Sequence, residues 1–458
     1  MSLTAEGRCL SGGISGLILG LLTVVISGLF CILADRTVLK RPGYAGAAVA
    51  SSAGNSVATP AAVAMVDPSW QPYVAQATAA AGASVVITAI LVPILTTWAC
   101  ANNTVQRIAQ QLPGAVGITH QHGCSQFPID GEQTKRTLVG FGTNPNVGAC
   151  IVVGLGCENV QPQEVAAGIA KSGKPVACIV IQEAGGTINA VSEGVRIGRK
   201  MLADLSLQEK EEHDLSEIIL GLECGGSDTT SGIAANPAVG VASDLLVEHG
   251  GTAILSETQE LIGAEHLLAE RAVSQEVAKR VIEIVKRAEE SAFRMGEDIR
   301  LANPSPGNKK GGLSTLEEKS LGCVHKAGLA PVQEVIEYAY KPTKKGLVIM
   351  DTPGNDIESI TGMAAGGAQI IVFTTGRGTP TACPIAPTIK VCGNGNTCRT
   401  MEDNIDISAA GIIEGTSTVR EVGERIFAEL VEVCRGKLTK AEQLGFGDFG
   451  INRIGPTQ

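Results

Sequence analysis

The sequence predicts an α/β protein in which a Rossmann-like, multi-layer α/β region follows about three transmembrane helices. Three observations support this fold class. The hydrophobic excess lies almost entirely in the first hundred residues, where long runs carry no charge. After residue 102, short β-branched runs alternate with helical stretches, a pattern typical of α/β folds. Several of these runs end in glycine-rich polar turns.

Charge and cysteine usage limit the functional classes. The net charge is −10 and the pI is about 5.3. Nucleic-acid binding needs lysine and arginine clustered on one face, so we expect no nucleic-acid partner. The 13 cysteines are odd in number and contain no CxxC pair. This pattern indicates reduced thiols in the cytoplasm rather than a disulfide framework.

Three uncharged apolar runs precede residue 102. The first, at 9–34, is long enough to cross a hydrocarbon core about 30 Å thick as a helix. The second, at 43–66, consists mainly of small residues, as in a buried, interrupted helix of a transporter. The third, at 82–101, is strongly apolar and contains Pro93. We expect all three runs to span a membrane.

The loop after the first run indicates how such a membrane segment would be oriented. Arg36, Lys40 and Arg41 lie in this loop, and the positive-inside rule places them in the cytoplasm. With three spans, the chain would re-enter the cytoplasm after Ala101. A cleaved signal peptide is the alternative for the first run, but two further apolar runs follow it.

The segment at 34–74, ADRTVLKRPGYAGAAVASSAGNSVATPAAVAMVDPSWQPYV, resembles the C-terminal part of the 2-keto-3-deoxygluconate permease family. The resemblance covers most of residues 10–100. It implies a proton symporter of roughly ten helices, of which this chain would hold only the last three. Transport by this chain alone is therefore not expected, and we interpret the segment as an inner-membrane anchor or the remnant of a gene fusion.

The remaining residues are predicted to form two α/β domains, at 103–212 and 213–458, after a permease-like fragment at 1–102. The charged stretch QEKEEHD at 208–214 marks the boundary between the two. The predicted strands are buried β-branched runs at 149–156, 176–182, 216–224, 251–257, 346–352 and 368–376. The predicted helices are at 187–205, 263–295 and 417–433.

Polar turns follow several of the predicted strands, with the sequences GLGCEN, IQEAGGT, GLECGGSDTTSG, DTPGND and TTGRGTP. Ligands of open α/β sheets bind at the carboxyl ends of strands, so these turns predict a site built from several loops. Taken alone, each turn is better explained by ordinary tight-turn geometry. Walker A, strand-linked GxGxxG, HExxH and GxSxG motifs are absent, which argues against nucleotide cofactors, zinc peptidases and serine hydrolases.

The segment THQHGCSQ at 119–126 places His120, His122 and Cys124 within five positions. Imidazole and thiolate together suit iron, manganese or zinc better than magnesium. The alternative is a polar loop that binds no metal.

A second resemblance extends over about 350 residues. The segments THQHGCSQ, VGLGCEN, QEAGGT, GLECGGSDTTSGIAANPAVGVASD, GGTAILSETQELIGAEHLL, NPSPGNKKGGLSTLEEKSLG, MDTPGND and FTTGRGTP follow one another as in the altronate and galactarate dehydratase family. The large subunit of sulfolactate sulfo-lyase belongs to the same group. The resemblance implies a metal-assisted β-elimination that converts a 2,3-dihydroxy acid into a 2-keto-3-deoxy acid.

That chemistry assigns roles to particular residues. A divalent metal, Fe²⁺ or Mn²⁺, would hold the substrate while a base removes the C2 proton and an acid assists the departing 3-hydroxyl. The expected metal ligands are His122, Cys124 and Cys224. The candidate catalytic groups are Glu183, Asp228, Asp351 and His266. Glu183 and Asp228 are also further candidate metal ligands. The candidate substrate-binding residues are Ser227, Lys309, Lys310 and Arg377, where arginine offers a bidentate fork to a carboxylate.

One departure from the family affects the expected partners. Single-chain members carry a small N-terminal domain of about a hundred residues, where this chain has the permease-like fragment. A separate small subunit is therefore a possible partner, and a homo-oligomer is expected. Altronate is the favoured substrate because its dehydration yields the acid that the permease family carries. The alternatives are the large subunit of a sulfolactate sulfo-lyase and a component of 2-keto-3-deoxygluconate transport with a non-catalytic lyase region.

Overall fold

The computed structural model describes residues 92–208, 212–456 and 458. Two compact units divide the chain, Met1–Ala89 and Ile90–Gln458, and every described residue lies in the second. The predicted membrane spans at 9–34 and 43–66 lie outside the described residues. Within the described ranges, no helix has both the length and the apolar character that a membrane crossing requires.

The described unit contains two fully parallel β-sheets with helices around them. The first sheet has the strand order β2-β1-β3-β4, and its strands are β1 (Val92–Thr96), β2 (Ala115–Ile118), β3 (Cys150–Gly154) and β4 (Val176–Val180). The second has the order β11-β10-β9-β5-β6-β8-β7, and its strands are β5 (Ile219–Cys224), β6 (Thr252–Leu255), β7 (Val332–Ile336), β8 (Gly346–Met350), β9 (Ile370–Thr375), β10 (Thr388–Cys392) and β11 (Ile407–Ser408).

Helices connect most of the parallel strands, whereas the connections from β7 to β8 and from β9 to β10 contain no helix. The helices are α1 (Asn102–Ala109), α2 (Pro128–Thr143), α3 (Pro162–Ala170), α4 (Thr187–Leu205), α5 (Asn236–Glu248), α6 (Glu265–Ala269), α7 (Gln275–Arg294), α8 (Ile299–Ala302), α9 (Pro306–Lys310), α10 (Leu316–Cys323), α11 (Asp356–Ala365), α12 (Gly395–Thr400), α13 (Ala410–Ile413), α14 (Val419–Cys434) and α15 (Lys440–Gln443). The parallel α/β architecture predicted from the sequence is confirmed, and each of the six predicted strand runs contains a strand.

The third predicted membrane span is wrong in its described part. Its residues 92–96 form β1, a central strand of the first sheet, and Ala99–Ala101 form a short 3₁₀ helix. Both faces of β1 are buried, because Ile94 lies in one hydrophobic cluster and Leu95 in another. A parallel strand covered on both faces is a continuous apolar run, and such a run resembles a membrane segment in sequence. β1 also lies upstream of the sequence-predicted boundary between residues 102 and 103.

The two sheets share one hydrophobic layer. Leu95 and Val152 of the first sheet lie in the same cluster as Val348 and Phe373 of the second. Helices α2 and α11 pack between them at short range. A Cβ on Gly140 of α2 would lie 2.3 Å from a carbonyl oxygen of α11, so only glycine allows this approach. The first domain is thereby fixed against the second within the described unit.

The predicted helix at 263–295 is two helices, α6 and α7. The chain breaks at Val273, whose backbone N–H donates to the carbonyl of Val332, next to a parallel bridge between Ala272 and Val332. Ser274 then caps α7 by accepting from Val277 N. The helix predicted at 187–205 is α4 with the same bounds, and the one predicted at 417–433 is α14.

One buried cation lies inside the second sheet without a hydrogen-bond partner among the described residues. Lys390 of β10 is fully buried, and its Nζ lies 5.6 Å from the ring centroid of Phe373. Burial lowers the pKa of Lys390 to about 8, although Asp406 and Asp448 partly oppose this effect. The ammonium form is therefore disfavoured in the folded protein.

We expect Lys390→Met to stabilise the protein at neutral pH by roughly 1–3 kcal/mol. Below pH 8 the lysine is charged in both the folded and unfolded states, so the wild type carries the full burial cost. Between its folded pKa of about 8 and the free value, the folded state binds fewer protons, so the stability of the wild type rises with pH. Urea unfolding should therefore show an advantage of the variant that shrinks towards about pH 10. A variant less stable than the wild type at neutral pH would contradict this prediction.

Candidate functional site

The carboxyl ends of five parallel strands converge at one edge of the second sheet. The turns after β5, β6, β8, β9 and β10 begin at residues 225, 256, 351, 376 and 393. Ligand sites of open α/β sheets form at this edge because free backbone groups meet there. Two groups of polar side chains occupy the edge. We refer to them as the polar pocket and the acid-thiol cluster.

The polar pocket is a cavity of about 470 Å³. Its lining residues are Asp228, Thr230, Lys310, Gly311, Arg377, Asn394, Asn396, Thr397 and Thr400. They come from the turns after β5, β9 and β10 and from α9 and α12. The lining combines two cations, one carboxylate and several neutral hydroxyl and amide groups, which suits a small polyhydroxylated anion.

Asp228 is held in a defined orientation at this pocket. Its Oδ1 accepts from Thr230 Oγ1 at 2.6 Å and from Ser231 N at 2.9 Å, and its Oδ2 accepts from Asn394 Nδ2 at 3.0 Å. A Cβ on Gly376 would lie 1.8 Å from Oδ1, so glycine is required for the carboxylate to fit. These contacts fix the carboxylate for a ligand in the pocket.

The two cations of the pocket, Lys310 and Arg377, lie at the short helix α9. Lys310 is its last residue, and a Cβ on Gly307 would lie 3.9 Å from Arg377 Nε. Within the described ranges, neither Lys310 nor Arg377 forms an ion pair with a carboxylate, and both are exposed. Their charges remain available to an anionic ligand at one end of the pocket.

The acid-thiol cluster lies deeper, beneath the turns after β5, β6 and β8. It consists of Glu223, Cys224, Glu257, Glu260, Lys319, Cys323, Lys326 and Asp356, of which all but Asp356 are buried. A Cβ on Gly225 would lie 2.1 Å from Asp356 Oδ2, and Gly226 O accepts from Arg377 N at 2.8 Å. The turn formed by these two glycines therefore separates the cluster from the polar pocket.

Three carboxylates of the cluster form a compact group, the carboxylate triad: Glu223, Glu257 and Asp356. One oxygen from each lies within 4.8 Å of the others. Glu223 Oε2 accepts from Ser256 Oγ at 3.1 Å and from Ser359 Oγ at 2.6 Å. Oε1 of Glu223 and Oε1 of Glu257 are buried without a hydrogen-bond partner among the described residues. Unpaired buried carboxylate oxygens are costly, so they favour a cation or a proton.

The lysines of the cluster balance only part of its charge. Lys326 Nζ lies 2.6 Å from Glu257 Oε2, and Lys319 Nζ lies 2.5 Å from Glu260 Oε1. Four carboxylates and two ammonium groups leave a formal charge of −2 when the thiols are protonated. A divalent cation would neutralise this charge, and oxygen ligands suit Mn²⁺, Fe²⁺ or Mg²⁺.

The same excess of negative charge perturbs the acids. Burial, followed by the nearby Glu257, raises the pKa of Glu223 well above its usual range. Burial and the carboxylates of Glu257 and Glu260 raise the pKa of Asp356 to about 7. Burial also opposes ionisation of Glu260, but the charges of Lys319 and Lys326 and the hydrogen bonds from Cys323 and Lys319 together outweigh it, so the pKa of that carboxyl lies below its usual value. Without a cation, the triad therefore retains protons.

Lys319 connects the cluster to the pocket. Its Nζ donates to Asn303 Oδ1 at 3.1 Å and to Asn308 Oδ1 at 3.3 Å. Asn308 Nδ2 donates to the carbonyl of Ser227 at 2.9 Å, directly before Asp228. Ser227 thus contributes its backbone to this link, and its residue is buried.

The other predicted site residues lie elsewhere. Glu183 is exposed after β4, and His266 is exposed on α6. Asp351 follows β8 but accepts from Thr258 Oγ1 at 2.5 Å and pairs with Arg287. Lys309 is exposed beside Lys310 and does not line the pocket.

The histidine segment belongs to the first domain. His120 is buried, with Nε2 2.9 Å from Thr96 O and Nδ1 accepting from His122 N at 3.0 Å. Burial lowers the pKa of His120 to about 4, and burial likewise lowers the pKa of His122. Among the described residues, the groups that bring three potential ligands together include Cys224 but neither His122 nor Cys124.

Sequence reasoning missed most of the acid-thiol cluster. Glu223 interrupts an otherwise apolar strand, which is the signal that could have identified it. Glu257, Glu260, Lys319 and Asp356 lie within segments already associated with the family, and Cys323 directly follows one of them. From Glu223 to Asp356, however, the cluster extends over 133 positions. The proximity of these residues depends on the strand order, which could not be predicted from the sequence pattern.

Known protein families match almost the whole chain. The family model described as "D-galactarate/Altronate dehydratase, C-terminal" matches residues 215–457. The one described as "D-galactarate dehydratase/Altronate hydrolase, second domain" matches residues 88–206. The model described as "2-keto-3-deoxygluconate permease" matches residues 7–105 and so overlaps the second.

Individual relatives give the same division. Altronate dehydratase of Bacillus subtilis (strain 168) is 34% identical over 374 residues, which cover 80% of this chain and 74% of the relative. The (2R)-sulfolactate sulfo-lyase subunit beta of Chromohalobacter salexigens is 37% identical over 355 residues, which cover 77% of this chain and 90% of the relative. The 2-keto-3-deoxygluconate permease 1 of Salmonella typhimurium is 52% identical over 89 residues, which cover 19% of this chain and 28% of that permease.

Proposed function

This chain belongs to the D-galactarate and altronate dehydratase family, and on that premise we propose that it is a metal-dependent hydro-lyase that dehydrates a sugar acid, altronate, in the polar pocket. The observation that carries the proposal is the pocket itself. It places the cations Lys310 and Arg377 and the oriented carboxylate of Asp228 at the strand ends of the second sheet. The product would be a 2-keto-3-deoxy acid, formed with loss of one water.

The residues of the pocket can perform the elimination. Lys310 and Arg377 would bind the substrate carboxylate, which lowers the cost of forming an enolate next to it. Asp228 would accept the proton from C2, and the electron pair of that C–H bond would form the C2–C3 double bond as hydroxide leaves C3. The hydroxide would take up the proton from Asp228 and depart as water. Thr230 and Asn394 hold Asp228 in place for this transfer. The resulting enol would then tautomerise to the ketone.

The carboxylate triad fits the divalent metal that the proposal requires. Two of its buried oxygens have no partner among the described residues, and the cluster carries a formal charge of −2 that a divalent ion would neutralise. Glu223, Glu257 and Asp356 would hold Fe²⁺ or Mn²⁺. When bound, such a cation would act through its charge across the turn of Gly225 and Gly226, where it would stabilise negative charge that develops on the substrate during proton removal.

The test is a substrate comparison with the full chain. Metal-free protein would be loaded with Fe²⁺ or Mn²⁺ and incubated separately with altronate, galactarate and sulfolactate, and 2-keto-3-deoxy acid and sulfite would be assayed. Metal-dependent product from altronate supports the proposal. Product from galactarate alone would overturn the assignment of altronate. Absence of keto-deoxy acid from both sugar acids, with and without a co-expressed small dehydratase subunit, would overturn the dehydratase proposal.

A second candidate function follows from the relative covered to 90% of its length, a sulfolactate sulfo-lyase subunit. Sulfite release from sulfolactate in the same comparison would identify this activity. That relative is one subunit of its enzyme, so we also propose that a separate small subunit completes the site of this chain. We further propose that several copies of this chain assemble as a homo-oligomer, each with that small subunit. Activity that appears only on co-expression of a small dehydratase subunit would support this.

The permease-like region supports a proposal about location. We propose that residues before 92 attach the chain to the inner membrane, with the described unit in the cytoplasm. The competing proposal, a component of 2-keto-3-deoxygluconate transport, requires uptake of the labelled acid into vesicles that contain only this chain. Recovery of the full chain in the high-speed supernatant after lysis would argue against membrane attachment.

The pocket assignment makes a prediction about Arg377. We expect Arg377→Gln to lower kcat/KM roughly 10- to 100-fold, mainly through KM, because a charge-assisted hydrogen bond to the substrate carboxylate is lost. Lys309→Gln is the matched control, since Lys309 is an exposed cation of the same region that does not line the pocket. Equal KM values for the two variants would remove Arg377 from the binding site.

A further inference from the structure

The acid-thiol cluster contains a second set of potential metal ligands, separate from the carboxylate triad. Cys224 Sγ and Cys323 Sγ lie 3.6 Å apart. Glu260 Oε2 lies 3.2 Å from the first sulfur and 2.9 Å from the second. All three residues are buried. We propose that Cys224, Cys323 and Glu260 bind a thiophilic divalent cation of the Zn²⁺ or Fe²⁺ class.

The sulfur–sulfur separation is close to that of two ligands on a tetrahedral ion. With a metal–sulfur distance of about 2.3 Å and a metal–oxygen distance of about 2.0 Å, tetrahedral angles place two sulfurs roughly 3.8 Å apart and a sulfur and an oxygen roughly 3.5 Å apart. The observed sulfur–sulfur distance of 3.6 Å differs little from this value. The shorter sulfur–oxygen distances are those of thiol hydrogen bonds, which metal binding would replace.

The three ligands come from elements whose positions are fixed by the core. Cys224 ends β5, Glu260 lies in the 3₁₀ helix Thr258–Leu261, and Cys323 ends α10. A cation bound here would join these elements across up to 99 positions of sequence. Three protein ligands leave one coordination position for water or another small ligand.

Lys319 orients the carboxylate of Glu260. Lys319 Nζ binds Glu260 Oε1 at 2.5 Å, which leaves Oε2 directed at the two sulfurs. Residues that orient ligands in this way commonly accompany metal sites. Lys319 also supplies a positive charge that offsets part of the negative charge of two thiolates.

Charge balance distinguishes this site from the triad. Two thiolates, Glu260, a divalent cation and Lys319 sum to zero, whereas the protonated thiols without a cation leave Glu260 and Lys319 as a neutral pair. The site is thus compatible with either state. Binding replaces the two thiol protons with the cation, so the affinity for metal should increase as the pH rises.

Cobalt titration of the metal-free, reduced full chain tests the proposal. Co²⁺ bound to thiolates absorbs in the near ultraviolet by sulfur-to-metal charge transfer, so a band that saturates at one equivalent is expected. Cys224→Ser and Cys323→Ser should each weaken the cobalt binding that gives this band by at least about 100-fold. Loss of a residue that only orients a metal ligand costs less than this. Cys383→Ser is the matched control, because Cys383 is a buried thiol outside the cluster. Glu223→Gln should leave the band unchanged.

Two outcomes would overturn the proposal: no charge-transfer band in the wild type, or a band that persists in both cluster variants. If the serine variants do not fold, X-ray absorption of the zinc-loaded wild type replaces them, with two sulfur neighbours expected and none contradicting the site. Neither measurement uses enzymatic activity. Failure of this proposal is therefore distinguishable from failure of the proposed function.

Discussion

Glu223→Gln is expected to weaken binding of the divalent metal that we propose for the carboxylate triad and to lower kcat/KM by about 100-fold or more. Glu223 Oε1 is a fully buried carboxylate oxygen without a partner among the described residues, directed into the carboxylate triad. Glutamine has the same shape but carries no charge, so it preserves the packing while removing one anionic ligand. The loss should therefore fall on metal-dependent properties alone.

Glu223→Gln also distinguishes a carboxylate triad that binds a metal from one that binds only protons. Because the folded pKa of Glu223 lies above its unfolded value, metal-free protein should lose stability as the pH rises above the unfolded pKa. Glutamine mimics the protonated acid, so metal-free Glu223→Gln should be at least as stable as the wild type at neutral pH. The metal-induced rise in Tm should shrink in the variant. Thermal unfolding with and without Mn²⁺ measures both effects.

Glu358→Gln provides the control for Glu223→Gln. Glu358 lies on α11 beside the triad, and burial raises the pKa of its carboxyl, but it is not a member of the triad. Wild-type metal affinity and activity are expected for this variant. Full activity and an unchanged metal response in Glu223→Gln would show that the triad binds a proton rather than a metal.

Lys326→Met is expected to destabilise the protein by about 3–5 kcal/mol. The ammonium group is 1% exposed and lies 2.6 Å from Glu257 Oε2. Removing it leaves Glu257 without its cation, next to Glu223 in a cluster that already has excess negative charge. The desolvated carboxylate must then take up a proton or remain uncompensated, and either outcome costs stability at neutral pH.

Urea unfolding of metal-free protein, followed by circular dichroism, measures this loss. Lys345→Met is the matched control, because Lys345 pairs with Glu217 at 3.8 Å with both side chains more than half exposed. Exposed pairs contribute at most about 1 kcal/mol. The double variant Lys326→Met, Glu257→Gln should recover part of the lost stability, since it removes the isolated charge. A loss below about 1 kcal/mol for Lys326→Met alone would contradict the role of this buried pair.

The second sheet shows which strands can be predicted from sequence patterns and which cannot. Its strands β5, β6, β8 and β9 are short, β-branched and buried on both faces, so each produces a recognisable apolar run bounded by glycine-rich turns. β10 was not predicted, because Lys390 interrupts its apolar run. β1 was assigned to a membrane span, because its apolar residues continue a run that begins in the permease-like region.

The polar pocket was partly predictable for the same reason. Asp228, Lys310 and Arg377 lie in glycine-rich segments after strands or next to short helices, where ligand-binding side chains are common. Asp351 lies in an equivalent position but is engaged by Thr258 and Arg287. A polar residue at a strand end is therefore a candidate site residue. Its contacts in the folded protein determine whether its side chain is available to bind a ligand.

The sequence by itself determined the family, the parallel α/β class and the glycine-rich turns that carry the pocket, because these are local or ordered along the chain. Tertiary structure alone decided which charged residues meet. Glu223, Glu257 and Asp356 come together because β5, β6 and β8 are neighbours in the sheet, and Cys323 joins them from a helix. The reason is physical: strand order and burial create the low-dielectric cluster in which these charges must be balanced, and neither quantity is encoded in residue spacing.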